Sequence, residues 1–225
     1  MPGVSICRCH FDQKRLSTNS FQQYGIQRPA LASAWSARRQ SEFLAGRYCA
    51  MKALTATAEM GTSLSTSQIP LRDDRRPQWP AGFVGSISHS DNRAIAITSS
   101  DRLFLGLGID CETQFSDSLA AEIAPWLLHK DDLDCHLGIP INYGLLLTLI
   151  FSAKESLFKA LTLRQDDIAG YNSFSVSRVT EKTLLLKAEF ALNPPYQSIN
   201  GFELAYTIEH RQIITAALLP CNSSA

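Results

Sequence analysis

Residues 83–97 read FVGSISHSDNRAIAI, and residues 202–218 read FELAYTIEHRQIITAAL. Both are strand-like runs folded about a short polar turn, Ser90-Asp91-Asn92 in the first case. Each lies downstream of a helical pattern. Ala34 to Met60 is rich in helix formers, with Phe43, Leu44, Tyr48, Met51 and Leu54 recurring at helical spacing. Ile150 to Leu163 repeats that role, with Phe151, Leu157, Phe158 and Leu161 as its apolar face. Further strands are predicted at Leu103–Asp110, Ser173–Val179 and Thr183–Phe190, with the second hairpin formed by Phe202–Ile208 and Ile213–Leu219. The likeness is one of pattern, not of identities. It predicts an α+β chain of two similar halves, residues 1–110 and 111–225, with the junction near residues 105–120 and a ligand cleft between them.

Bulk composition narrows the classes. Hydrophobic residues make up 45% and charged residues 19%, enough apolar content for a buried core. Lys and Arg total 21 and Asp and Glu total 21, so no overall field selects nucleic acid or an anionic membrane. Phosphate recognition therefore has to come from a local cluster of basic side chains. The N-terminal MPGVSICRCHFD lacks a secretory apolar core. The longest apolar run, Ile139 to Phe151, is broken by Pro140, Asn142 and Tyr143 and is too short to span a bilayer. Six scattered cysteines form no paired CxxC, and Cys7, Cys9 and His10 lack a second ligand pair at zinc spacing. The expectation is free thiols in a reducing, cytoplasmic compartment.

The chemistry-bearing candidates are few. Asp110 and Glu112 stand in GLGIDCE at the end of an apolar strand, two apart and so on one face. They are either ligands for a hard cation or a solvated strand end. Glu155 and Lys159 in FSAKESLFKAL share a helix face, as a surface ion pair or at the margin of a cleft. His89 sits among Ser86, Ser88 and Ser90, Arg76 precedes Pro77, Trp79 and Pro80, and Arg47 lies on the first long helix. Arginine forks suit phosphate oxygens, yet single arginines are commonly just solvated. Asp131, Asp132 and Asp134 are expected in a solvated connector. Gly106 and Gly108 lack the third glycine of a dinucleotide fingerprint, and neither a phosphate loop nor a GxSxG elbow occurs.

Taken together and in order, WPAGFVGSISHS (79–90), LGLGIDCE (105–112) and FSAKESLFKA (151–160) resemble the phosphopantetheinyl transferases, in particular their siderophore-type group. RRQSEFLAGRYCAMKAL (38–54) also fits that group. The resemblance covers about residues 38–160; the last third adds only strand pattern. Phe151-Ser152 stands where broad-specificity members often carry Trp-Thr, which leaves carrier preference open.

The resemblance implies two pseudo-symmetric α+β halves with the active site in the cleft between them. It implies magnesium on Asp110, Glu112 and Glu155, with Lys159 on the diphosphate. It also implies Arg47, Arg76, His89 and Ser88 on the coenzyme A phosphates. The implied reaction is transfer of 4'-phosphopantetheine from coenzyme A to a serine of an acyl or peptidyl carrier protein, leaving 3',5'-ADP. Glu155 is the expected base for the serine proton, and a monomer is the expected working form, since two halves already complete the cleft. The competing reading is a non-catalytic module that binds coenzyme A or a carrier protein. Such a module would not need the complete acidic trio.

Overall fold

The computed structural model describes residues 3–17, 19–61, 63–130, 132, 141–162, 170–197 and 199–221. The chain divides into two compact units. One runs up to Leu107 and takes back the segment from Leu219; the other is Gly108–Leu218. The division falls inside a strand, a few residues before the expected 110/111 junction.

The first unit opens with β1 (Ser5–His10), a short helix α1 (Ser20–Gln23) and the long α2 (Ala37–Glu59). Helix α2 begins where Ser36 caps it, its side chain accepting a hydrogen bond from the Arg39 N–H at 3.2 Å. The hairpin β2 (Phe83–Ser90) and β3 (Arg93–Ser100) follows as expected, with Ser90 opposite Arg93 and Asp91 at φ 53° in the turn. The strand order is β1-β3-β2, antiparallel throughout. Helix α2 covers this sheet: Ala45, Cys49, Ala50 and Leu54 meet Phe83, Ala94 and Ala96. Its other apolar residues, Phe43 and Leu44, pack with Phe21 and Ile26, and Tyr48 and Met51 lie against them. A 23-residue helix with two apolar patches is what the spread of Phe43, Leu44, Tyr48, Met51 and Leu54 encodes.

The second unit is built on β4 (Phe104–Thr113), α3 (Asp117–Leu127), α4 (Tyr143–Leu161), β5 (Phe174–Val179), β6 (Thr183–Ala188), β7 (Phe202–Glu209) and β8 (Gln212–Pro220). Its sheet order is β4-β8-β7-β6-β5. The β7–β8 hairpin turns between Glu209 and Gln212, with His210 at φ 59°, much as Asp91 does in the first unit. The surrounding sheets differ, three strands in one and five in the other. Helix α4 starts seven residues earlier than the sequence suggested, at an Asn142 cap. Its buried stripe is Leu147, Ile150, Lys154, Leu157 and Leu161, whereas Phe158, expected on that face, is 39% exposed.

One glycine seats α4 on β4. A Cβ at Gly108 would fall 1.7 Å from the Ser156 carbonyl oxygen. Only a residue without a side chain lets the helix backbone approach this closely. Buried hydroxyls join the same helix to β8: Ser156 Oγ donates to the Thr215 carbonyl at 3.0 Å, and Thr215 Oγ1 donates to that of Ser152 at 2.8 Å.

One sequence expectation needs correction, and two elements are new. Asp132 is not solvated; it is fully buried, with Lys154 Nζ 2.6 Å from its Oδ2. Its carboxylate also accepts the backbone N–H groups of His129 at 3.0 Å and Val176 at 2.7 Å. A buried carboxylate is tolerable only when so fully paired. Asp131 and Asp134 lie outside the described residues. Helix α3, with Pro125 inside it, and strand β1 were not expected at all.

Candidate active site

Strand β4 and helix α4 bring Asp110, Glu155 and Lys159 together. Asp110 is 2% exposed, and Lys159 Nζ reaches its Oδ1 at 2.7 Å and the Ile109 carbonyl at 3.3 Å. Glu155, one helical turn before Lys159, places Oε2 4.0 Å from the same ammonium. This contact is not a solvated surface pair: the Lys159 and Glu155 side chains are 27% and 23% exposed. Burial pushes the Lys159 ammonium down, but the Asp110 charge and hydrogen bond, aided by Glu155, outweigh it and leave its pKa raised.

Tyr171 completes this group and was missed in the sequence. It stands on a single 3-10 turn, Tyr171–Ser173, and its hydroxyl donates to Glu155 Oε1. The ring packs at a tilt against Phe151 at 5.3 Å and Trp126 at 5.4 Å between centroids. Burial raises its pKa, followed by the Glu155 hydrogen bond and by the charges of Glu155, Asp110 and Glu112. All three carboxylates therefore act on one phenol. Nothing in its local sequence marks Tyr171, because only the fold carries it back to Glu155. Glu112 is partly buried, two residues beyond Asp110 on β4 and so on the same strand face.

In the first unit, Ser88 is buried on β2 and His89 follows it. The His89 ring has Nε2 3.1 Å from Arg39 Nη1 and Nδ1 3.9 Å from Glu42 Oε2, so two α2 residues not singled out from sequence hold it. Arg47 is only 7% exposed, its guanidinium stacked 4.7 Å from the Phe43 ring centre. Its Nε is buried and has no hydrogen-bond acceptor among the described residues. Burial, and secondarily the charge of Arg39, pushes its pKa down to about 10. Arg76 is held by Asp74, with Nη2 2.8 Å and Nε 2.9 Å from its Oδ2. The hydrogen bond from Arg76 in turn lowers the Asp74 carboxyl.

Residues 27–99 match the 4'-phosphopantetheinyl transferase N-terminal domain family, and residues 106–213 match the 4'-phosphopantetheinyl transferase superfamily. Enterobactin synthase component D of Escherichia coli is 34% identical over 156 residues, 68% of each chain. The chain belongs to the 4'-phosphopantetheinyl transferase superfamily. Enterobactin synthase component D of Salmonella typhimurium is 38% identical over 143 residues, 64% of this chain and 56% of that protein. The 4'-phosphopantetheinyl transferase PptT of Mycobacterium tuberculosis is 26% identical over 200 residues, 81% of this chain and 80% of that one. The chain spans less than two thirds of the length of the Salmonella relatives it matches.

In this superfamily member the residues of the acidic group, Asp110 to Tyr171, all fall inside the 106–213 match. Arg39, Arg47, Arg76 and His89 fall inside the 27–99 match. Among the described residues no three His, Cys, Asp or Glu side chains close on a metal position by themselves. Nor is any helix there long and apolar enough to cross a membrane.

Proposed function

We propose that this chain transfers the 4'-phosphopantetheine group of coenzyme A to a serine hydroxyl of an acyl or peptidyl carrier protein, in the manner of a holo-carrier synthase. The observation that carries the reading is the Lys159 ammonium held between Asp110 and Glu155. A half-buried cation backed by two carboxylates is suited to a diphosphate oxygen, and an intact acidic set argues against a mere binding module.

The serine oxygen bonds to the β-phosphorus as the bond to the departing 3',5'-ADP oxygen breaks. Such transfers ask the protein for positioning and charge neutralisation above all. Glu155 takes the serine proton, because a hydroxyl is a weak nucleophile at neutral pH. Lys159 neutralises the diphosphate. Asp110, Glu112 and Glu155 offer only oxygens, the donor type magnesium takes alongside water and phosphate. They are the residues that would hold the ion, whose charge offsets that of the leaving group. The buried, acceptor-less Arg47 Nε fits a nucleotide phosphate, and Arg76, His89 and Ser88 serve the same end of coenzyme A. The scattered cysteines, which form no paired CxxC, fit a reducing, cytoplasmic setting.

The test is the intact mass of an apo carrier protein incubated with this chain, coenzyme A and magnesium. A gain of about 340 Da, one phosphopantetheine arm, that EDTA abolishes is the expected result. Peptidyl carriers of siderophore assembly are the first choice, given the enterobactin synthase relatives. No gain on any carrier class, with coenzyme A bound, would return the binding-module reading.

A further inference from the structure

The N-terminal thiols that lacked zinc spacing have a third partner that the sequence keeps far away. Strand β1 places Cys7 and Cys9 on one face, and helix α2 sets Cys49 beneath them. Cys49 Sγ lies 3.3 Å from Cys9 Sγ and 3.6 Å from the Ala94 carbonyl. The two thiols are already in contact, the approach from which a disulfide between them would form. Their environments differ. Cys49 is fully buried, whereas Cys9 is half-buried and forms part of the wall of a cavity of about 450 Å³. His10, Phe11, Tyr24 and Tyr48 line the same cavity, with Asp12 and Arg15 supplying opposite charges. Its volume lies in the range of small-molecule sites. Hydrogen bonding from Cys49 lowers the Cys9 pKa, while Cys49 is raised. Burial raises that of Cys7. Of the three clustered thiols, Cys9 is the one that lines the cavity, and its pKa is the one lowered.

We propose that Cys9 and Cys49 are a redox-active dithiol, and that the cavity admits low-molecular-weight disulfides to Cys9. The Cys9 thiolate attacks one sulfur of the reagent, whose S–S bond breaks and whose other half leaves as a thiol with the proton Cys9 gave up. The Cys49 sulfur, losing its own proton, then attacks the Cys9 sulfur of the mixed disulfide and expels the second half as a thiol. Two protein thiols are oxidised and one small disulfide is reduced to two thiols. The new bond joins β1 to α2 two residues beyond Arg47.

The experiment treats the full chain with oxidised glutathione, and in parallel with neutral hydroxyethyl disulfide, under native conditions. Acid quenching, alkylation and peptide mapping follow. The expected product is a Cys9–Cys49 linked peptide, with a mass loss of two hydrogens in the intact protein. Cys49→Ser should accumulate a one-to-one mixed disulfide at Cys9, and Cys9→Ser should leave Cys49 unmodified. If Cys49→Ser does not fold, Cys49→Ala carries the same trap, and wild-type mapping needs no variant. A wild-type chain that stays fully alkylatable, or that first reacts at Cys7 or Cys221, would overturn the proposal. The readout is independent of carrier loading.

Discussion

Lys159 Nζ lies 2.7 Å from Asp110 Oδ1, tying helix α4 to strand β4 through a carboxylate that is almost wholly buried. The bond has a pH signature. The Lys159 pKa is raised above its ordinary value of 10.5 in the folded chain. The stability it contributes is fully present below the unfolded pKa and is lost as pH rises through the folded one. Lys159→Met should cost about 2 kcal/mol at pH 7, with Asp110 left buried beside an apolar tail. The gap between variant and wild type should shrink above pH 10.5. Urea unfolding at both pH values measures this, and a gap that stays constant would refute it.

Glu155→Gln should lower the rate of carrier loading by at least about 100-fold. The amide oxygen can still accept from Tyr171, so urea stability should stay within about 1 kcal/mol of wild type. Intact-mass time courses beside unfolding curves separate the two effects. Normal loading in this variant would remove Glu155 as the base.

Arg47→Met should bind coenzyme A at least about tenfold more weakly, a loss of about 1.4 kcal/mol. Ligand-free stability should change little, because the methionine replaces a buried cation whose Nε finds no acceptor among the described residues. Calorimetric titration reads the first and urea unfolding the second. Unchanged affinity would take Arg47 out of the nucleotide site.

For the Asp132–Lys154 pair the two truncations should differ. Asp132→Ala takes the carboxylate from two backbone N–H groups and from a buried ammonium that keeps the Leu127 carbonyl at 2.8 Å, and should cost about 4 kcal/mol. Lys154→Met leaves Asp132 with both N–H donors and should cost less. Equal losses in urea unfolding would show that the N–H bonds contribute little.

Gly108→Ala should destabilise by at least about 2 kcal/mol, since the added methyl meets backbone rather than a movable side chain. Because the same seat holds Lys159 over Asp110, carrier loading should fall with it. A variant with wild-type stability would mean that α4 shifts freely on β4.

Much of the local structure was legible in the chain. The turn residues around Asp91, the spread of apolar positions in α2, and the two-apart acids on β4 are short-range patterns that dihedral preference and side-chain periodicity enforce. Lys154 carried a signal too: it stands in register with Leu147, Ile150, Leu157 and Leu161, where a cation must find a partner. That partner, Asp132, sits 22 residues away, and no spacing rule links them. Helix α3 escaped because Pro125 breaks its pattern, and β1 because its outward positions include the apolar Ile6 while its inward ones are Ser5, Cys7 and Cys9. Tyr171 beside Glu155 and Cys49 beside Cys9 belong to the same class of invisible contact. The sequence by itself determined which residue types could do chemistry and on which strand or helix face each would lie. Only the tertiary structure decided which of them meet, because packing a helix onto a strand through Gly108 joins positions that the chain holds dozens of residues apart.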